Sequence, residues 1–299
     1  MAEATMAEVT EGGAASSREA EPAVGDGGRG GGAVGGPVFL VGGGWDEAAA
    51  GVVHGPFLRA AAKASAAARP PGAPAGAGTA PRILCVIVDE GDGAGQFARW
   101  EAALRTVGDC APLPLLVPIG ERLDAGTVPA DVDGVLVCGG LTPAYHEAFG
   151  GGPSSAPFLP PALARRGIPY AGFSAGAVIA ARDAVIGGWL VDGAAVCPPD
   201  TAEDLEEVDV RPGLGLVPFG VDVHAAQWGT LGRLAAAVAG GRLAHGVAVD
   251  ENTVVEVGGG AGDGHARVAG LGRAHCVRPA PGGAVLVRSY GDGEVFPAV

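Results

Sequence analysis

The sequence predicts an α/β fold in which a mostly parallel sheet carries helices on both faces. Its short apolar runs are continuous rather than alternating, which is typical of strands covered on both sides. Helix-forming segments separate several of these runs, as the crossover connections of a parallel sheet require. After residue 246 the pattern changes to strand-like segments joined by turn residues, which predicts antiparallel additions toward the C-terminus.

The predicted elements follow one another through most of the chain. The apolar runs are PVFLV (37–41), RILCVIV (82–88), PLLVPI (114–119), GVLVC (134–138), GIPYAGF (167–173) and GLGLVPFGVDV (213–223). The segments predicted to form helices ending at glycine are QFARWEAALRTVG, FLPPALARRG and TLGRLAAAVAGG. From HGVAVDENTVVEV onward we expect hairpin-like strands, including GGAVLVRSYGDGEVFPAV with its turn at residues 291–293.

Two segments have the composition of unstructured sequence. Residues 1–36 are rich in Ala, Gly and Glu and contain almost no large apolar side chain, so we expect a disordered acidic tail. Residues 63–81, KASAAARPPGAPAGAGTAP, predict a low-complexity loop between ordered elements. Residues 37–299 are therefore expected to form one α/β domain that contains this loop.

Charge and apolar patterning exclude several classes of partner. The formal net charge is −14, and no cluster of Lys and Arg appears, so neither nucleic acid nor an anionic membrane surface is expected as the main partner. No apolar stretch approaches the roughly 20 residues of a membrane span, and the acidic N-terminus lacks the apolar core of a secretory signal. We expect a cytoplasmic protein.

The cysteines fit that expectation. The chain has five of them, with no CxxC pair and no regular spacing, so reduced and mostly buried thiols are favoured over disulfides or a zinc site. They are Cys85, Cys110, Cys138, Cys197 and Cys276. No metal site and no cofactor are expected.

One serine stands at a junction between a strand-like and a helix-like segment. Ser174 lies in GFSAG, which matches the G-x-S-x-G pattern of a nucleophile elbow. An apolar strand precedes it and the helix-forming run AGAVIAARDAV follows. This context favours a nucleophile at the carboxyl edge of the sheet, and the alternative is a small residue that packs a helix against the sheet.

A serine nucleophile needs a base, and His224 is the histidine in a suitable place. It ends the apolar run GLGLVPFGVDV and precedes a helical segment, so it also falls at the carboxyl end of a strand, where open parallel sheets bind ligands. The other histidines lie in loops, helices or the later strands: His54, His146, His245, His265 and His275.

Several segments together resemble the dipeptidase E and cyanophycinase family of serine peptidases. GFSAGAVIAARDAVIGG resembles the family's nucleophile segment, and DVHAAQWGTLGRL resembles its histidine segment. FLVGGGWDE resembles its opening strand and glycine loop, VLVCGGLTP the strand with a Gly-Gly turn, and GVAVDENTVVEV its Gly-x-x-x-Asp-Glu-x-Thr strand. These segments occur in the family's order between residues 37 and 257.

The resemblance implies a fold like that of class I glutamine amidotransferases and hydrolysis of a peptide or related amide bond. It implies that Ser174 attacks the carbonyl, that His224 transfers the proton, and that the amides of Ala175 and Gly140 form the oxyanion hole. The family's acidic residue lies between the serine and the histidine. Asp192 is the first choice for it, and Asp183, expected inside a helix, is the second.

The match departs from the family in the residues that bind substrate. At two positions where the family's histidine helix usually carries arginines, this chain has Trp228 and Thr230, and Leu141 and Thr142 follow the Gly-Gly turn. We therefore predict that neither an Asp-X dipeptide nor cyanophycin is a good substrate. Candidate substrate-binding residues are Thr142, Gln227 and Trp228. Arg233 is open between a surface ion pair and substrate binding.

Three functions remain open from the sequence. The first is a serine hydrolase that acts on a small peptide or amide. The second is a non-catalytic binding domain that keeps the fold and the elbow. The third, a glutaminase, is disfavoured because no cysteine stands at the elbow. Analogy with this fold suggests a homodimer.

Overall fold

A computed structural model of the chain describes residues 36–68, 80–150, 167–258 and 264–298. The expected tail, except for Gly36, lies outside the described residues, and so does nearly all of the predicted helix FLPPALARRG. The first helix, α1 (Ala50–Ala67), includes residues 63–67, the beginning of the segment expected to be a loop.

The largest element is an eight-stranded sheet. Its strands in spatial order are β16 (Val295–Pro297), β13 (His265–Gly270), β12 (Thr253–Val257), β1 (Val38–Val41), β5 (Tyr170–Phe173), β4 (Gly134–Val137), β2 (Arg82–Asp89) and β3 (Ala111–Pro118). The strands from β1 to β3 in this order run parallel. β12, β13 and β16 extend the sheet with antiparallel pairing. The predicted α/β class with C-terminal antiparallel additions is confirmed at this level.

A second sheet has four strands in the order β10 (Gly220–Val223), β11 (Gly246–Val249), β14 (Ala274–Pro279) and β15 (Val285–Tyr290). β10 and β11 pair in parallel, whereas β14 and β15 add antiparallel pairs. Two short antiparallel pairs lie elsewhere: β6 (Asp183–Gly187) with β9 (Asp209–Pro212), and β7 (Leu190–Val191) with β8 (Ala194–Ala195).

Two of the expected hairpins form, because β12 pairs with β13 and β14 pairs with β15 in antiparallel register. The hairpins expected within HGVAVDENTVVEV and within GGAVLVRSYGDGEVFPAV do not form. β11 and β12 belong to different sheets, and so do β15 and β16. Glycine-rich turn signals indicate where the chain changes direction, but they do not determine which strand becomes the hydrogen-bonded partner. Here β11 pairs with β10 and β14, while β12 pairs with β1 and β13.

Helices connect and cover the strands. After α1 come α2 (Gly93–Val107), α3 (Thr142–Ala148), α4 (Ala175–Ile179), α5 (Ala225–Trp228) and α6 (Leu231–Ala239). The run AGAVIAARDAV was predicted to be one helix, but α4 ends at Ile179 and Asp183 begins β6, which pairs with β9. Alanine has the highest intrinsic helix propensity, but propensity is a weak determinant of structure, so the strand pairing of Asp183–Gly187 outweighs it.

The main sheet is buried on both faces, which explains the continuous apolar runs. Phe39 and Val41 of β1 pack in one core with Phe57 of α1 and Trp100 of α2. The intervening Leu40 packs in the core on the opposite side. All five cysteines are free thiols, and only Cys197 is partly exposed. Among the described residues, no helix has both the length and the apolarity to cross a membrane.

Candidate active site

Ser174 occupies a strained turn between β5 and α4. Its backbone has φ +52° and ψ −114°, a combination that side-chain-bearing residues rarely adopt. The flanking glycines permit the turn, because a Cβ at Gly172 would overlap the carbonyl of Gly176, and a Cβ at Gly176 would overlap that of Val137. The G-x-S-x-G pattern therefore has a steric cause. The helix α4 lies too close to β5 at Gly172, and too close to β4 at Gly176, for any residue larger than glycine.

The structure brings His224 to this serine. His224 follows β10, adopts the left-handed conformation with φ +54°, and places its ring nitrogen Nε2 2.8 Å from Ser174 Oγ. Val223 and Phe173, the last residues of the two strands, belong to different sheets. The pairing of serine and histidine expected from the sequence is thus present as a hydrogen bond, between residues at the carboxyl ends of β5 and β10.

The carboxylate at the other nitrogen of the imidazole belongs to Glu251. Its Oε1 lies 2.8 Å from His224 Nδ1. Asp192, the residue expected there, lies instead in the turn between β7 and β8, where it is exposed and its N–H donates to Glu207. Asp183 pairs with the neighbouring Arg182. Neither aspartate contacts the histidine.

Strand pairing explains why Glu251 reaches His224. β10 and β11 are parallel, with Val223 opposite Val249, so the residues just after them meet at one sheet edge. The pair Asp250-Glu251 in GVAVDENTVVEV was visible in the sequence, but the sequence alone did not reveal that its strand lies beside that of His224. This pairing is the signal that identifies Glu251.

Asp250, next to Glu251, has a structural role. Its carboxylate accepts hydrogen bonds from the N–H groups of Ala226 and Arg273 and contacts His275. Burial opposes its ionisation, but these hydrogen bonds outweigh burial and lower the pKa of Asp250. Asp250 thereby holds the start of α5 beside the histidine.

Two neighbours confine the imidazole of His224. A Cβ at Gly43, where φ is +104°, would overlap the ring, so only glycine allows this close approach. Trp228 stacks on the ring, with centroids 3.8 Å apart and an interplanar angle of 9°. The glycine loop after β1 also accepts the N–H of His224 at the carbonyl of Gly42. This role of Gly43 was not apparent from the sequence.

Burial lowers the pKa of His224 below its ordinary value of 6.5, and the hydrogen bond and charge of Glu251 offset only part of this effect. The imidazole is therefore neutral near pH 7. With Glu251 accepting the proton on Nδ1, the unprotonated Nε2 faces the hydroxyl of Ser174. This is the tautomer that can accept a proton from the serine.

The Gly-Gly turn after β4 lies directly beside the serine. A Cβ at Gly139 would stand only 2.9 Å from Cβ of Ser174. The hydroxyl of Tyr145 donates to the carbonyl of Gly139 at 3.2 Å, so the N–H of Gly140, on the opposite side of the same trans peptide, points away from Tyr145. Within the described part of the chain, neither this N–H nor that of Ala175 donates a hydrogen bond.

The three candidate substrate-binding residues have different surroundings. Thr142 is buried, and both its N–H and its hydroxyl donate to Glu203. Gln227 accepts the N–H of Glu251, so its contact is with the acid rather than with the cavity. Trp228, 43% exposed, does line the cavity in front of Ser174.

Thr230 and Arg233, in the segment where the family carries arginines, face the interior. The hydroxyl of Thr230 donates to the carbonyl of Val223. Arg233 is 3% exposed and forms a two-point ion pair with Asp222, and it also donates to the carbonyls of Gly188 and Thr201. Arg233 thus forms an ion pair, as one of the two sequence alternatives expected, but the pair is buried rather than at the surface, and Arg233 is not among the residues that line the cavity.

The cavity in front of the serine has a volume of about 810 Å³, which is within the range of small-molecule and short-peptide sites. An aromatic wall consists of Trp45, Trp100 and Phe173, whose rings pack against one another. Arg99 stacks on Trp45 and is the only Lys or Arg among the described residues of the lining. The carboxylates of the lining are Glu90, Asp200, Glu203 and Asp204.

Comparisons with known proteins support the fold. The chain is similar to a solved structure described as a peptidase from an acI-B1 Actinobacterium, with a TM-score of 0.56 and 15% sequence identity. The similarity covers 89% of this chain and 98% of that one. A search with protein-family models and a search of curated protein sequences found no match. At this identity the similarity establishes a shared fold.

In the part of the chain that the structure describes, no three His, Cys, Asp or Glu residues form a metal-binding group.

Proposed function

We propose that this protein is a serine-type hydrolase, a peptidase that cleaves a peptide or related amide bond of a small substrate. The observation that carries the proposal is the continuous chain of contacts from Ser174 Oγ to His224 Nε2, and from His224 Nδ1 to Glu251, each 2.8 Å long. The order of nucleophile, base and carboxylate is that of a catalytic triad. The site therefore has all three groups that activation of an alcohol requires.

In the proposed reaction, Ser174 Oγ attacks the substrate carbonyl and its proton passes to Nε2 of His224. Glu251 stabilises the imidazolium that results. As the C–N bond breaks, His224 returns the proton to the leaving amine, and Ser174 remains as an acyl ester. Water then attacks the ester carbonyl while His224 accepts a proton from the water. The C–O bond to Ser174 breaks, the acid product leaves, and the proton on His224 passes to Ser174 Oγ, which restores the hydroxyl.

The negative charge of the tetrahedral intermediate needs donors that are in position before the reaction. The free N–H groups of Ala175, at the start of α4, and of Gly140 are the proposed oxyanion hole. Removal of one such donor typically costs about a hundredfold in rate. The hydrogen bond from Tyr145 supports this assignment because it orients the Gly139–Gly140 peptide.

Two further observations support the assignment to a peptidase of the dipeptidase E and cyanophycinase type. The similar solved structure is described as a peptidase, and the order of the sequence segments resembles that family, whose fold is that of class I glutamine amidotransferases. The lining residues suggest that the substrate is neither an Asp-X dipeptide nor cyanophycin. The lining has four carboxylates and one guanidinium, and this excess of negative charge disfavours a substrate with an acidic side chain.

The proposal can be tested by incubating the protein with a panel of dipeptides and aminoacyl amides and measuring the release of free amine. Wild-type protein is expected to hydrolyse at least one neutral or basic substrate, and the Ser174→Ala variant is expected to lose this activity by several orders of magnitude. If a substrate binds but neither protein hydrolyses any member of the panel, the non-catalytic binding domain becomes the better account.

A further inference from the structure

Three consecutive peptide groups beside Ser174 are each held by a different side chain. The carbonyl of Gly139 accepts from Tyr145, the N–H of Leu141 donates to Glu90 at 3.2 Å, and the N–H of Thr142 donates to Glu203 at 2.9 Å. The first contact is made by the peptide that also carries the N–H of Gly140, and the other two hold the peptides that follow it. They leave that N–H free while restricting rotation of these three peptides.

Glu203 comes from a distant part of the chain. It belongs to the loop of residues 198–205 that lines the cavity, and it has a left-handed backbone with φ +56°. Its second oxygen accepts the hydroxyl of Thr142 at 3.0 Å. This two-point contact connects the loop to the first residue of α3, immediately after the Gly-Gly turn.

The same loop is anchored to the strand of the histidine. Arg233 donates to the carbonyl of Thr201 at 2.8 Å, and its guanidinium is paired with Asp222, two residues before His224. Asp222 is fully buried and Arg233 is 3% exposed, so this anchor is rigid compared with a surface ion pair. One network of contacts thus extends from the base to the Gly-Gly turn through Arg233 and the loop.

We propose that Glu203 is a positioning residue that holds the N–H of Gly140 in the oxyanion hole through Thr142, with Glu90 as a second anchor at Leu141. This inference rests on the proposed serine hydrolase function. The carboxylates bond to the neighbouring peptides, and the orientation of the Gly140 N–H depends on those peptides. Arg233 and Asp222 set the position of the loop that presents Glu203.

Electrostatics and positioning predict opposite effects of removing the charge of Glu203. A carboxylate near an oxyanion repels the developing negative charge, so charge removal alone should accelerate the reaction. If the carboxylate acts by holding the turn, its replacement by an amide should slow the reaction, because an amide presents one acceptor and one NH2 group to two donors of Thr142. The direction of the change therefore distinguishes the two roles.

The test uses a fluorophosphonate, which phosphonylates an activated serine, and measures the binding constant and the maximal inactivation rate separately. For Glu203→Gln we expect the inactivation rate to fall about tenfold or more, with binding of the free probe within about twofold of wild type. Affinity for benzeneboronic acid, whose adduct with serine mimics the tetrahedral intermediate, should fall by a similar factor. The matched control is Glu206→Gln, because Glu206 is exposed and outside the cavity lining.

A second pair of variants keeps the test valid if Glu203→Gln does not fold. Thr142→Val removes only the hydroxyl contact with Glu203 and should slow inactivation. Thr142→Ser keeps the hydroxyl and should be inactivated at a rate near that of wild type. An unchanged or faster rate in a folded Glu203→Gln protein, or an equal effect of Glu206→Gln, would overturn the positioning role. If wild-type protein itself is not phosphonylated, the proposed hydrolase function fails first, and the two failures are thereby distinguished.

Discussion

The ring of His224 lies flat against the ring of Trp228, with centroids 3.8 Å apart. Trp228 stands where the resemblance would place a substrate-binding arginine, and at this position the chain instead has an aromatic side chain that covers the proposed base. The indole removes one face of the imidazole from water, and the loss of hydration favours the neutral form of His224.

Replacement of Trp228 by alanine should raise the pKa of His224 toward 6.5, because water then reaches the ring. Since the base works only when it is unprotonated, activity declines as pH falls through this pKa, and the acid limb of the kcat/KM profile should move to higher pH. Trp228→Phe keeps a stacked ring and should retain most of the wild-type profile. Identical acid limbs in wild type and Trp228→Ala would contradict this role.

The acid of the triad can be tested with two equivalent substitutions. Glu251→Gln removes the charge beside Nδ1 and should lower kcat/KM by about a hundredfold or more, because the imidazolium loses its stabilising partner. Asp192→Asn makes the same chemical change at the exposed turn and should leave activity near that of wild type. Comparable losses in the two variants would refute the assignment of Glu251.

Gly43 should tolerate no side chain. Gly43→Ala places a methyl group in the space of the imidazole and should displace the ring from Ser174, lowering activity about tenfold or more. Gly120→Ala is the control, because Gly120 also has a positive φ, +82°, and its added Cβ would meet open space. Measurement of kcat and of thermal stability separates backbone strain from displacement of the imidazole. Strain should lower the thermal stability of both variants, whereas kcat should fall only in Gly43→Ala.

The charge of the cavity predicts its substrate preference. Asp-Leu should be hydrolysed poorly compared with a neutral dipeptide of similar size, because most of the charged lining residues are carboxylates. The double substitution Asp200→Asn/Asp204→Asn removes two negative charges from the lining and should lower the KM for Asp-Leu more than the KM for the neutral dipeptide. Efficient hydrolysis of Asp-Leu by wild-type protein would contradict the prediction.

His54 should make the fold sensitive to acid. It lies in α1 against Trp100, and burial lowers its pKa from its ordinary value of 6.5 to about 4. The unfolded chain therefore binds a proton that the folded chain does not, so stability declines as pH falls from 6.5 to about 4. A shift of this size corresponds to about 3 kcal/mol. Urea unfolding across this pH range should show that the free energy of unfolding declines less steeply for His54→Leu than for wild type. Parallel declines in the two proteins would exclude His54 as a cause of the acid sensitivity.

The sequence was most informative where local sterics determine structure. The glycines around Ser174 are required by close backbone contacts, that of Gly172 with the start of α4 and that of Gly176 with the neighbouring strand β4, and their pattern indicated a strand-to-helix turn at Ser174. His224 could be found because it ends an apolar run. The continuous apolar character of the main strands was sufficient to predict that they pair in parallel, although it did not predict their order in the sheet.

The acid could not be located in the same way because its position depends on strand pairing. The resemblance placed the acidic residue between serine and histidine, which led to Asp192, whereas Glu251 follows His224 in the chain. Only the parallel register of Val223 with Val249 brings Glu251 beside the imidazole. The role of Gly43 and the separation of β15 from β16 depend on similar long-range contacts.

In the proposed mechanism, His224 makes one particular alcohol, that of Ser174, reactive. The most direct measurement is mass spectrometry of peptides after exposure of the folded protein to a fluorophosphonate. We predict a single adduct on the peptide that contains Ser174, its absence in Ser174→Ala, and a strong reduction in His224→Gln. An unmodified Ser174 under conditions that fully label a control serine peptidase would contradict the claim.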